Sequence, residues 1–357
     1  MNKQEKQLVK ELCKFKNSTL DEALLAHATP SVLGELFLNR MPGVAYDVLR
    51  QRGLLGKITR EFRNSLFAAY EQNIEKNRSF YRCVEMLANI LEYCPFKLAM
   101  LKGALLCARY PEGYRTSNDI DLLVLPEDVT SVGALLLKAG FSQGNVRNGK
   151  FIPATRREII ESKMMRGETV PYVKEVSLPY IKYLEVDINF SLDYKTGNSN
   201  LLSNLLNRST LVAVGEIKIP TLCKEDFFLH LCAHLHKEAS TLPWIEMHRD
   251  MTLYKYCDIY LLLSEMSDDD AGALFARAYE LGLEKVCAYA ILETGSLFDV
   301  PDQKACELAE RALRDDPIFR LKVTDPAGKR LLHYQTVDAT ERFFLSQRIL
   351  DLKEDGA

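Results

Sequence analysis

Asp119 and Asp121 stand one residue apart at the head of an apolar run, Asp119-Ile-Asp121-Leu-Leu-Val124. In an extended strand successive side chains alternate between faces, so the two carboxylates project together while Ile120 turns into the core. Neighbouring anions are costly to leave unpaired, and a hard divalent cation that prefers oxygen ligands is their natural partner. The same alternation recurs in Leu184-Glu-Val-Asp187-Ile-Asn-Phe190, where Val186 and Ile188 face one way and Asp187 the other. A third carboxylate, Asp187, is therefore expected on a neighbouring strand, facing the first pair. Accidental strand-end polarity is the competing explanation, and the ordered surroundings weigh against it.

Those surroundings include Leu101-Lys102-Gly103, which follows the short apolar run Leu98-Ala-Met-Leu101 and opens a helical stretch. A glycine there permits close backbone approach, and the free N–H groups of a helix start can meet a phosphate. Arg115-Thr-Ser-Asn118 leads directly into the aspartates. With L-K-G, R-x-x-x-D-x-D-L and an aspartate in a later strand, the chain resembles the polymerase-β-like nucleotidyltransferase superfamily. Within it, the resemblance is to the group described as uncharacterised nucleotidyltransferases, over about residues 96 to 260. Most of the superfamily carries Gly-Ser where this chain has Lys102-Gly103, and the narrower group shares the Lys-Gly form.

The resemblance implies that Asp119 and Asp121 bind two Mg²⁺ ions, or Mn²⁺, that Asp187 completes the site, and that Lys102, Gly103 and Arg115 line a triphosphate pocket. Asn118 joins them as a nucleotide-binding residue. The implied reaction moves an NMP group from an NTP, ATP among the candidates, to a hydroxyl of a small molecule, a peptide product or an RNA end. Asp187 is the candidate base for that hydroxyl. On this scheme Asp121→Asn is expected to remove activity and to leave stability unchanged or slightly improved, since it relieves like-charge repulsion. Lys102→Ala is expected mainly to weaken NTP binding.

A second constellation is His230-Leu-Cys-Ala-His234-Leu-His236-Lys237. His230 and His234 lie one helical turn apart and share a face. H-x-x-x-H lacks the Glu that follows the first histidine in zinc peptidases, and no third ligand suggests itself. A partly buried histidine is the favoured reading. By resemblance to the superfamily's helical C-terminal domains, His234 or Lys237 touches nucleotide or acceptor. Asp258 matches a following helix, with Arg249 or Lys255 as a structural ion-pair partner. Tyr110 and Tyr114 beside the metal motif are base-stacking candidates, though aromatic loop anchors are commoner.

The elements that must position these residues follow from periodicity. Apolar residues recur at helical spacing as far as Leu91, and Pro95 ends that region. From 96 to 222 short strands alternate with helices: strands at 98–101, 120–125, 169–176 and 183–192, helices at 103–109, 128–139 and 155–165. Beyond Lys224 the pattern is helical again, at 250–265, 268–282, 284–297 and 303–314, with a connector over 315–328 and a last helix over 338–352. The expected fold is α+β: a small mixed sheet with flanking helices (96–222) between a helical N-terminal region (1–95) and a helical C-terminal domain (223–357).

Composition narrows the function classes. Of the 357 residues 47% are hydrophobic and 27% charged, and 46 Lys and Arg against 49 Asp and Glu give a net charge of -3. That balance supplies no general basic excess for phosphate backbones, so RNA as acceptor is disfavoured. A groove gathering Arg147, Lys150, Arg156 and Arg157 would favour tRNA instead. Nine cysteines without a C-x-x-C pair argue against a zinc knuckle or disulfide framework. No apolar run reaches membrane-spanning length, and Met-Asn-Lys-Gln-Glu-Lys leads into no signal-peptide core, so a cytoplasmic protein is expected. The competing function is a catalytically silent nucleotide-binding or partner-binding protein, such as a toxin–antitoxin component. Loss of a metal carboxylate would signal it, and all three aspartates are present.

Overall fold

Alternating apolar and polar positions build one mixed sheet, and its two parallel strands carry the aspartates. The computed structural model describes residues 1–16, 18–192, 199–299 and 303–354. The chain divides into two units: Glu71–Phe227, and Met1–Tyr70 together with Phe228–Ala357.

The first unit contains strands β1 (Leu98–Met100), β2 (Asp119–Val124), β3 (Ser142–Arg147), β4 (Lys150–Pro153), β5 (Tyr172–Leu178) and β6 (Ile181–Asn189). They form a sheet in the order β1-β2-β6-β5-β3-β4. Only β2 and β6 run parallel, and each other neighbouring pair is antiparallel. Central strands covered on both faces read as continuous apolar runs, and β2 is buried from Ile120 to Val124. β6 alternates instead: Ile181, Leu184, Val186 and Ile188 are buried, while Tyr183, Glu185, Asp187 and Asn189 on the other face are partly open. Beside the sheet, β7 (Thr210–Val214) and β8 (Ile217–Thr221) form a hairpin, and the Thr221 hydroxyl donates to the Met100 carbonyl at 2.8 Å.

The β3–β4 hairpin is an element the periodicity does not predict. Its strands are short and largely exposed, so no apolar alternation marks them. The turn does carry a signal: Asn148 and Gly149 have φ of 52° and 70°, and Asn-Gly suits a two-residue hairpin turn with both φ positive. Arg147 and Lys150 face each other across that turn. The helix Arg156–Arg166 follows, opened by a capping box between Thr155 and Glu158 and closed by left-handed Gly167.

The other unit is mainly helical, with Lys3–Cys13, Pro30–Leu38 and Pro42–Gln51 from the N-terminal part and Leu253–Leu263, Asp268–Leu281, Glu284–Phe298 and Gln303–Ala312 from the C-terminal part. It also holds a small sheet, β9 (Lys322–Asp325), β10 (Arg330–Tyr334) and β11 (Leu352–Glu354), in the order β11-β10-β9. This corrects two expectations. The segment 315–328 is not merely a connector, since it contains β9. The expected helix 338–352 shortens to Ala339–Phe343. Downstream the chain is drawn into other pairings: the Gln335 amide donates to the Asp351 carbonyl, the Asp351 carboxylate accepts from Thr336, and Leu352 pairs with Tyr334. These tertiary bonds override a helical pattern too short to sustain itself.

Candidate active site

Register does the assembling. Asp121 of β2 is the direct partner of Asp187 of β6, and Asp119 is the partner of Glu185. Paired residues of adjacent strands project to the same side, so four carboxylates share one face, and Asn189 extends the row. The sequence-predicted trio is thus brought together on adjoining strands.

Asp119 is exposed and Asp121 buried. Ser117 donates its hydroxyl to Asp119 Oδ1 at 2.8 Å. Asp121 Oδ1 accepts from two donors, Lys102 Nζ at 3.2 Å and Asn189 Nδ2 at 3.2 Å. Glu168 enters from beyond the helix that Gly167 closes: it bridges Asn189 across the backbone, while the Thr169 amide donates to the Ile188 carbonyl. Glu185, Asn189, Ser117 and Glu168 were not singled out from sequence. The first two were legible, since they share Asp187's parity in one alternating strand. Ser117 reaches Asp119 from two residues away, and Glu168 depends on a non-local pairing with Asn189 that no local pattern encodes.

The electrostatics are those of a face with too many anions. Burial pushes the Asp187 carboxyl well above the usual carboxylate range, Asp121, Asp119 and Glu168 push it further, and Lys102 opposes them. Glu185 is raised by burial and by Asp119. For Lys102 burial acts to lower the ammonium's pKa, but attraction to Asp121, Asp119 and Asp187, with the hydrogen bond to Asp121, leaves it raised. One lysine therefore serves at least three carboxylates.

Its backbone is unusual. Lys102 caps the helix Gly103–Arg109 with φ 41° and ψ -111°, a region that costs a residue with a Cβ on the order of 1–3 kcal/mol. The neighbouring Leu101 amide donates to the Asp121 carbonyl at 2.9 Å, tying the end of β1 to the aspartate strand. Gly103 is required sterically: a Cβ there would stand 2.6 Å from Ser117 Oγ, displacing the hydroxyl that holds Asp119. The Lys-Gly pair thus brings its backbone tight against the carboxylates.

Other predicted residues fall differently. Arg115 is buried, and its guanidinium donates to the Thr116 carbonyl within its own loop. Asn118 is exposed next to Asp119. Tyr110 and Tyr114 are buried with ring centroids 6.4 Å apart, so they are not offered to a base. His230, His234 and Lys237 lie in the helical unit, on the helix Lys224–Ala239. There His234 Nε2 is 3.4 Å from Glu238, whose carboxylate also pairs with Lys255. Lys255, expected as a partner of Asp258, is also held by the Arg249 carbonyl. His236 is stacked on Phe319 at 5.1 Å, and burial lowers its pKa to about 4.

Three carboxylates with a neutral amide and a hydroxyl beside them are a hard-oxygen donor set, chemically suited to Mg²⁺ or Mn²⁺. Among the described residues no three His, Cys, Asp or Glu side chains stand arranged to enclose an ion. Asp121 Oδ1 is taken by Lys102 and Asn189, and Asp119 Oδ1 by Ser117.

Among the described residues no helix is long and apolar enough to cross a membrane. No curated protein matches the sequence. A solved structure of an antigenic nucleotidyltransferase-like protein from Paracoccidioides brasiliensis is similar at 14% identity, covering 57% of this chain and 89% of that chain, with a TM-score of 0.34. The family described as uncharacterised nucleotidyltransferase matches residues 36–299, a span that holds the whole sheet and every residue of the acidic face. The chain belongs to that nucleotidyltransferase family.

Proposed function

We propose that this chain is a cytoplasmic, divalent-cation-dependent nucleotidyltransferase that moves an NMP group from an NTP to a hydroxyl of an acceptor and releases pyrophosphate. The observation that carries the reading is the register of Asp121 against Asp187 on parallel strands, with Asp119 two residues along the same face. Asp119, Asp121 and Asp187 would hold Mg²⁺ or Mn²⁺. When bound, the cation supplies charge stabilisation to the phosphates and lowers the pKa of a coordinated hydroxyl.

The chain's own groups account for the remainder. The acceptor oxygen forms a bond to the α-phosphorus as the bond to pyrophosphate breaks, and Asp187 takes the hydroxyl proton. Lys102 offsets charge on the leaving phosphates. The balanced net charge supports a small acceptor over a nucleic acid.

The test is direct. The full chain is incubated with each α-labelled NTP, Mg²⁺ and cell extract, and labelled product and pyrophosphate are followed. Transfer that disappears with chelator and in Asp119→Asn and Asp121→Asn is expected. No transfer from any NTP by folded protein, or full turnover in those variants, would leave a nucleotide-binding or partner-binding protein without catalysis.

A further inference from the structure

The acidic face is already served by a cation, and that cation belongs to the chain. Lys102 Nζ sits 3.2 Å from Asp121 Oδ1, with side-chain exposures of 21% and 11% for the two partners. It is delivered from a backbone of positive φ at a helix start, while the adjacent Leu101 amide is bonded to the carbonyl of that same aspartate. Asn189 donates to the same carboxylate oxygen from β6. Asp121 therefore has one carboxylate oxygen, Oδ1, committed to two donors.

We propose that Lys102 is a resident counter-ion that excludes a free divalent cation from Asp121, so that tight metal binding requires a polyphosphate to draw the ammonium away. The inference rests on the metal-binding reading above and adds an order of events to it. A cation arriving alone must compete with an ammonium at hydrogen-bond distance, strengthened by Asp119 and Asp187. A polyphosphate offers that ammonium a replacement partner of higher charge. Release of Asp121 and engagement of phosphate are then one exchange, and metal and nucleotide bind with positive coupling in both directions. The arrangement keeps the site from loading with metal when no nucleotide is present.

The test uses the full chain, Mn²⁺ followed by electron paramagnetic resonance, and inorganic tripolyphosphate as the phosphate probe. Mn²⁺ alone should bind Lys102→Met at least about tenfold more tightly than wild type, and tripolyphosphate should tighten Mn²⁺ binding much more in wild type than in the variant. Lys102→Gln serves the same comparison if the methionine variant does not fold. In the wild-type chain, the ¹⁵N-lysine signal of Lys102 should stay unchanged on adding Mg²⁺ alone and shift when Mg²⁺ and tripolyphosphate are added together. Equal or weaker Mn²⁺ affinity in the lysine variants, or a Lys102 signal that moves with Mg²⁺ alone, overturns the proposal while the metal site stands. Mn²⁺ binding that is indifferent to Asp121→Asn, with and without tripolyphosphate, removes the metal reading and this inference together.

Discussion

Glu293 and Asp250 are fully buried carboxylates of the helical unit, Glu293 met by two guanidiniums and Asp250 by one. Glu293 pairs with Arg342 at 2.6 Å and with Arg320 at 2.7 Å, and Asp250 is gripped by Arg348 at 2.5 and 2.8 Å. In the sheet unit Asp121, Asp187 and Asp119 share one ammonium, and the Asp187 carboxyl is raised by burial and then by its like-charged neighbours. Buried charge in the first case is balanced within the fold, as structural ion pairs are. In the second it is in excess, which a fold retains at a net cost unless something outside the chain completes it. The difference separates a stabilising network from a functional site more reliably than the presence of acidic residues does.

The comparison breaks most visibly where a balanced pair loses one member. Glu293→Gln should lower stability by about 3–5 kcal/mol, since it leaves the buried Arg342 uncompensated. The double variant with Arg342→Met should recover part of that loss in a denaturant-unfolding cycle. Additive losses would mean that the two side chains do not act as a pair.

His236 is expected to contribute an acid limb to the stability of the helical unit. Its folded pKa of about 4 lies below the ordinary value, so the neutral ring is the form the fold accepts. Stability from this group is complete above about pH 6.5 and is lost as pH falls toward 4, by up to roughly 2–3 kcal/mol. Melting profiles should show that acid limb flattened in His236→Phe, which keeps an aromatic against Phe319; an unchanged limb would assign acid sensitivity elsewhere.

Asp121→Asn sharpens the contrast from the other side. From sequence, neutralising it is expected to leave stability unchanged or better. Two bonds in the structure weigh against that expectation, because Asp121 is the carboxylate that Lys102 and Asn189 both engage. Its replacement should cost about 1–3 kcal/mol, the range for losing a charged hydrogen-bond partner. Unfolding in chelator, where metal plays no part, is the measurement, and a stabilised variant would show that repulsion outweighs the lysine.

The acidic face was legible in sequence because it depends on period-two alternation, which a strand transmits without knowledge of its neighbours. Asp119, Asp121 and Asp187 follow from that rule, and the β2–β6 register completes it. The Asn148-Gly149 turn carries a local signal of its own, an Asn-Gly pair with both φ positive. The Lys102–Asp121 pair was not readable, because it depends on a positive φ at residue 102 and on β1 lying beside β2. The segment after Phe343 carries a helical pattern but takes its order from pairing with β10, a tertiary cause absent from its own periodicity.

The smallest effect is the most discriminating. The Asp187 carboxyl is held above the usual range by burial and by Asp121, Asp119 and Glu168. A raised folded pKa means that the neutral form is the stable one: its contribution is complete at acid pH, below the unfolded value, and is lost as pH rises through the folded value. Asp187→Asn, neutral at every pH, should therefore raise the melting temperature of metal-free protein near pH 8, by about 1–2 °C if roughly 1 kcal/mol is relieved. The gain should vanish near pH 4, where the wild-type carboxyl is already protonated. In saturating Mg²⁺ with tripolyphosphate the order should invert, because the wild type then gains binding free energy that the variant forgoes. A variant less stable than wild type at pH 8 in chelator would place Asp187 with Glu293 and Asp250, as a carboxylate balanced inside the fold.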